Sequence, residues 1–447
     1  MSTQNTPQNP HDDQSLEATA TLTMHPEREL IRPQGSKRHI EFAIKVQAPT
    51  VTAPSTRTPV QVSLVLDRSG SMSGEKIRIA KQTALLILRH LDERDRVAVT
   101  VFDDRIDVIQ PATAVTPEQC AAVEQALQRV EARGSTALHE GWLKGCETIA
   151  GDGSPQTGDA VARCFLFTDG QANIGETDTE RISTQATSIR EKTGISTSTF
   201  GIGEDYNEHL LGPMAVAGDG QFHHIRTMAD FVTALSGEIG DLLLVSIQNL
   251  RLEIEVKRGL TAEVISDFRH QASSARREVM TVSIGDLATA EERHVVVRFA
   301  FPRGDMAYQY PVRARLVWAA HGHQRTGEWQ TVTFTHSSDA DCDAEQPNRG
   351  ALHYIGLAHA ALATKRAIEL QQRGELQLAR DLLTAVTNRI AGYAEGDVDL
   401  IKAIQELRDL VEKMEYEGLS PMTSKEAYFK YQTRSRGQKY YRDDDNA

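Results

Sequence analysis

The residues best suited to chemistry lie in V-S-L-V-L-D-R-S-G-S-M-S-G, residues 62–74. An apolar run, Val62 to Leu66, stops at Asp67, and hydroxyls follow at Ser69 and Ser71. One carboxylate and two hydroxyls are hard oxygen donors. They suit Mg²⁺ rather than zinc, which prefers nitrogen and sulfur. Mg²⁺ takes about six oxygens, so other segments must contribute. Two fit. G-S-T-A-L, residues 134–138, sets Thr136 just before a helical pattern, and F-T-D-G, residues 167–170, sets Asp169 at the end of an apolar strand.

Other candidates are weaker. Ser73 and Lys76 match S-x-x-K, and Lys192-Thr193-Gly194 matches K-T-G. These are two of the three motifs of penicillin-binding enzymes, and the middle S-D-N is missing. That leaves a hydrolase or acyl transferase with a Ser-Lys site as an alternative function. Asp339-x-Asp341-x-Asp343 opens like a Ca²⁺ loop, but Ala344 and Gly350 stand where the loop needs Gly and Glu. A solvated linker is the better reading. His321-Gly-His323 has no evident third ligand. His223 and His224 sit on a predicted strand and would face opposite ways. G-I-G at 201–203 does not continue into a dinucleotide fingerprint, and there is no Walker A sequence. Near the end, Lys425, Lys430, Arg434, Arg436, Lys439 and Arg442 interleave with Tyr428, Phe429, Tyr431, Tyr440 and Tyr441. Such a mixture can bind single-stranded nucleic acid or dock on an acidic surface. The net charge of −13 favours docking and argues against general nucleic-acid or membrane-surface binding.

The elements that position Asp67, Thr136 and Asp169 read as an α/β unit over residues 59–245. Nearly all-apolar strands alternate there with helical patterns, which calls for a mostly parallel sheet covered on both faces. Residues 246–337 revert to short alternating strands separated by turns, a β-sandwich pattern. The strands within 19–58 have no place in the α/β unit. They are expected to complete the sandwich, with the α/β unit inserted into it. Residues 338–349 read as a polar linker, 350–415 as a helical hairpin or bundle, and 416–447 as a flexible tail. Residues 1–18 read as a disordered leader without a signal-peptide core. With 447 residues, 40% of them hydrophobic, the chain can build about three domains. No apolar run approaches the ~18 residues of a membrane span. The four cysteines form no C-x-x-C pair, which fits reduced core thiols and a cytoplasmic setting.

D-R-S-G-S-M, G-S-T-A-L and F-T-D-G, in this order at strand ends, together closely resemble the von Willebrand factor type A domain and its metal-ion-dependent adhesion site. The resemblance implies a Rossmann-like, doubly wound sheet. It also implies that Asp67, Ser69 and Ser71 belong to the metal site, that Thr136 ligates directly in some states, and that Asp169 acts through water. The implied ion is Mg²⁺, with Mn²⁺ or Ca²⁺ as alternatives. The implied function is non-enzymatic: a partner protein offers an Asp or Glu to the metal. An AAA-type ATPase or a multiprotein complex is the partner class the resemblance suggests.

Overall fold

In the computed structural model, the structure describes residues 19–34, 39–50, 57–150, 160–170, 172–257, 259–272, 278–320, 323–414 and 418–438. The α/β unit is built on a six-stranded sheet. Its order is Ile106–Ala114, Arg96–Phe102, Val60–Asp67, Val161–Thr168, Ser196–Ile202 and Asp219–Ile225. Every pairing is parallel except that of the edge strand Ile106–Ala114. Val161–Thr168 is buried along its whole length and Val60–Asp67 nearly so, which is why both lack polar alternation. On one face, Leu64, Leu66, Phe165 and Phe167 pack with helices Glu75–His90 and Met228–Leu243. On the other, Val65, Cys164 and Leu166 pack with Leu138–Ala150, Thr179–Thr193 and Glu208–Ala217.

Val60–Asp67, the first strand of this unit, lies between Arg96–Phe102 and Val161–Thr168. The chain moves to one side of it and then to the other. At that switch in strand order the flanking loops diverge and leave a crevice beyond the carboxyl ends, where Asp67 and Asp169 stand.

The sandwich takes strands from both sides of the insertion. Thr21–Pro26 and His39–Gln47 join Glu292–Ala300 and Thr261–Val264 in one sheet. Leu30–Ile31 pairs with Gln330–His336 at the edge of the other. The inner faces meet over Phe42, Ile44, Val297, Leu252 and Phe334.

Helix Arg349–Gln372 lays Ala351, Ile355 and Ala358 on the outer face of the first sheet, against Ala43 and Val296. Leu376–Ala391 and Val398–Lys413 continue the bundle. Among the described residues, no helix is long and apolar enough to cross a membrane.

Two expectations about the connecting segments need correction. Residues 338–349 are not a loose linker. Asp339–Ala344 is a short helix capped by Ser338, Arg32 binds Asp339 and Asp343, and Glu345 accepts from the backbone of Glu29 and Leu30. Nor is 416–447 simply a flexible tail, because Pro421–Ser435 is a helix with Ser420 as N-cap. It buries Tyr428, Phe429 and Tyr431 between the bundle and the α/β unit, with Tyr428 and Phe429 edge-on to Phe222. Each such ring removes enough apolar surface from water to contribute about 2 kcal/mol. Residues 439–447 of that segment, and the leader 1–18, lie outside the described residues.

Candidate metal centre

Asp67 is the last residue of its strand and is fully buried. Its Oδ1 accepts the Ser69 N–H at 2.7 Å, which turns the chain sharply at the sheet edge. A single 3₁₀ turn, Gly70–Met72, follows, with the Met72 side chain sunk into the core. Gly74, at φ +77°, lets the chain swing into helix Glu75–His90, a conformation a side chain would resist.

The Thr136 loop is tied to this turn by backbone bonds from Gly70 N–H to Gly134 and from Arg133 N–H to Arg68. It is tied to the third loop as well. Asn173 Oδ1 accepts the Thr136 N–H at 2.9 Å, and Asn173 donates its own N–H to the Thr136 carbonyl.

All five residues singled out from the sequence are brought together. Ser69 Oγ and Ser71 Oγ are 3.1 Å apart, and Ser71 donates to Asp169 Oδ1 at 2.8 Å. A Cβ placed on Gly170 would lie 3.3 Å from Thr136 Oγ1, 3.6 Å from Ser71 Oγ and 3.7 Å from Asp67 Oδ2. One oxygen each from Asp67 and Ser71 on one turn and from the distant Thr136 thus borders one small space beside a glycine.

The charges there are unevenly satisfied. Asp169 is fully buried and carries the Lys76 ammonium on its Oδ2. Among the described residues, Asp67 accepts only from Ser69 and, at 2.5 Å, from the Thr168 hydroxyl. Among the described residues no cationic side chain reaches it. Burial pushes the Asp67 carboxyl up to about 6, despite the Thr168 and Ser69 hydrogen bonds. Burial works against the Lys76 ammonium too, but Asp169 and Asp205 outweigh it and raise its pKa. A buried carboxylate without a cation, ringed by hydroxyls, fits a divalent ion with oxygen ligands.

Thr168, Asn173 and Lys76 were not assigned to the metal site from sequence. Thr168 stands inside F-T-D-G, so its place next to Asp169 was the available signal. Lys76 stood out only within the Ser-Lys motif. That pair does not form: Ser73 Oγ donates to the Gly70 carbonyl at 2.6 Å while Lys76 turns to Asp169. Arg68, which follows Asp67, is buried against Asp103 and Asp107, and Arg133 also binds Asp103. Burial works to raise the Asp103 carboxyl, but Arg133 and Arg68 prevail and hold it below the usual range.

The remaining candidates have other partners. His223 Nε2 lies 2.9 Å from Glu238, and His224 Nδ1 lies 2.6 Å from the Tyr206 hydroxyl, so the two rings do face opposite ways. Lys192 to Gly194 end a helix, with Gly194 as the left-handed cap. His321 lies outside the described residues. In the C-terminal helix, Lys425 binds Glu208 and the Tyr206 carbonyl, Lys430 and Arg434 reach Glu406, and beyond the helix Arg436 binds the Gly220 carbonyl. These cations serve the chain's own packing. Another cluster, His353 with Asp397 and Asp399, was not anticipated. Asp397 caps helix Val398–Lys413 and holds His353 Nδ1 at 2.7 Å.

Residues 61–238 match the family model described as the von Willebrand factor type A domain. An uncharacterized protein of Synechocystis sp. is 27% identical over 266 residues, covering 58% of this chain and 60% of that protein. The E3 ubiquitin-protein ligase WAV3 of Arabidopsis thaliana is 25% identical over 346 residues, covering 74% of this chain and 43% of that protein. The chain therefore spans less than two thirds of the length of these relatives. Among solved structures, a von Willebrand factor type A protein from Catenulispora acidiphila superimposes with a TM-score of 0.71 at 19% identity, over 96% of this chain and 99% of the other. At that identity the likeness concerns the fold.

Proposed function

Given that this chain carries a von Willebrand factor type A domain, we propose that it is a protein–protein interaction module. A divalent cation, Mg²⁺ or alternatively Mn²⁺ or Ca²⁺, is held by Asp67, Ser69, Ser71, Thr136 and Asp169. A partner protein completes its shell with an Asp or Glu side chain. The observation that carries this reading is the gathering of Thr136, Ser71 and Asp67 oxygens around one point at Gly170. Hydroxyls supply oxygen without charge, so an ion held by few carboxylates keeps a pull on an external one.

A binding role rather than catalysis is further supported by the fate of the Ser-Lys motif, whose two members point to different partners. Four free cysteines, three of them buried, fit a cytoplasmic setting. We assign the partner to a protein class with an exposed acidic side chain, such as an AAA-type ATPase or a subunit of a larger complex.

Calorimetric titration of the full chain with Mg²⁺ tests the metal assignment. Binding is expected for the wild type and not for Asp67→Asn, and equal binding by both would refute it. Pull-down with and without chelator tests the partner half: the captured protein should be lost when the metal is removed.

A further inference from the structure

We propose that Lys76 is a built-in rival of the metal ion: its ammonium neutralises Asp169 when no cation is bound, and it keeps a bound cation short of negative charge. The inference rests on the metal reading above and deepens it.

Lys76 is the second residue of helix Glu75–His90, placed by the turn that presents Ser69 and Ser71. Its Nζ meets Asp169 Oδ2, while the other oxygen of that carboxylate accepts from Ser71. Asp169 is fully buried, and a buried carboxylate without a counter-charge is strongly unfavourable. In the metal-free protein the lysine therefore provides the charge that the ion would otherwise bring.

The fold makes room for this arm. Gly203 has φ +80°, and a Cβ there would lie 3.2 Å from Lys76 Cε and 3.6 Å from its Nζ. On the outer side the ammonium is 3.3 Å from Asp205 Oδ2, a largely exposed carboxylate. The amine is thus held between an inner and an outer acid, and Asp205 can retain it when Asp169 turns to a cation.

The charge count gives the consequence. Asp67 and Asp169 contribute two negative charges and Lys76 returns one positive. A divalent ion in this space meets a net of one negative charge from these three groups. The ion is bound less tightly than two free carboxylates would bind it, and it pulls harder on a carboxylate from outside. A unit charge several ångströms from a divalent ion, in a partly screened site, is worth about tenfold in affinity.

The test is a Mn²⁺ titration of the full chain by calorimetry, with thermal melting in excess chelator as a second readout. Lys76→Met should bind Mn²⁺ about tenfold more tightly than wild type. Its metal-free form should melt at lower temperature, and Lys76→Arg should restore both values. Adding Asp169→Asn to Lys76→Met should recover the metal-free melting temperature, because the buried carboxylate that Lys76 neutralised is then gone. If Lys76→Met binds Mn²⁺ no more tightly, or its metal-free form melts like wild type, the rivalry is overturned. If wild type and Asp67→Asn bind Mn²⁺ alike, the metal assignment itself fails and the rivalry falls with it.

Discussion

His359 Nε2 lies 2.9 Å from both carboxylate oxygens of Glu41, joining the first helix of the C-terminal bundle to the outer face of the sandwich. Arg298 and Arg389 bind the same carboxylate. Glu41 is 3% exposed, so an ionised carboxylate there depends on these partners.

Burial alone would raise the Glu41 carboxyl, but His359 and Arg298 outweigh it and bring it down to about 2, from an ordinary value of 4.5. A depressed carboxylate stabilises the folded state above its unfolded pKa, and the contribution is lost as pH falls through the folded one. The window is therefore pH 4.5 down to about 2, and the loss amounts to about 3 kcal/mol. Denaturant unfolding at pH 7 and pH 3 should show a smaller stability drop in Glu41→Gln than in wild type, the remainder coming from other depressed carboxylates such as Glu238, and Glu41→Gln should be less stable at pH 7. Hydrogen exchange should show helix Arg349–Gln372 losing protection first.

Asp67→Asn should change two properties in opposite directions. It removes a buried negative charge that no cationic side chain balances, so the metal-free protein should gain roughly 1–3 kcal/mol. It should also lose Mg²⁺ binding. Melting curves in chelator and in excess Mg²⁺ would read both effects. A metal-free mutant less stable than wild type would contradict the picture of an uncompensated charge.

Gly170→Ala tests the site without removing any proposed ligand. The new methyl would sit 3.3–3.7 Å from Thr136, Ser71 and Asp67 oxygens, in the space assigned to the ion. Mg²⁺ affinity should fall by about tenfold or more while chelated protein melts within a few degrees of wild type. Unchanged affinity would place the ion elsewhere.

The C-terminal helix is expected to behave as part of the core. Tyr428 is 2% exposed, packs against Gly212 and meets Phe222 edge-on. Tyr428→Ala should cost about 3 kcal/mol in denaturant unfolding, as for other large buried side chains. Salt-dependent binding of single-stranded nucleic acid should be absent in the wild type, because Lys425, Lys430, Arg434 and Arg436 already have internal partners.

The placement of Asp67 and Asp169 at strand ends was legible in the sequence, because a buried strand must be apolar and its end is marked where polarity returns. Thr136 before a helix was legible for a similar reason. The contribution of the early strands to the sandwich followed from strands with no partners nearby in the sequence. These features depend on periodicity and local turn chemistry, which a linear reading retains.

What the linear reading missed are contacts between distant charges. Lys425 and Arg436 read as cations able to dock on an acidic surface, with nothing in the sequence to say which one. They are buried because Glu208, the Tyr206 carbonyl and the Gly220 carbonyl, more than 200 residues earlier, supply matching acceptors. Arg68 directly follows Asp67, yet it secures Asp103. Lys76 looked like half of a catalytic pair and instead meets Asp169, ninety-three residues on. The sequence alone determined which oxygens face the crevice, since strand period and turn residues set that locally. Only the tertiary structure decided which cation answers which carboxylate, because a charge is buried or exposed according to the whole surface closing around it.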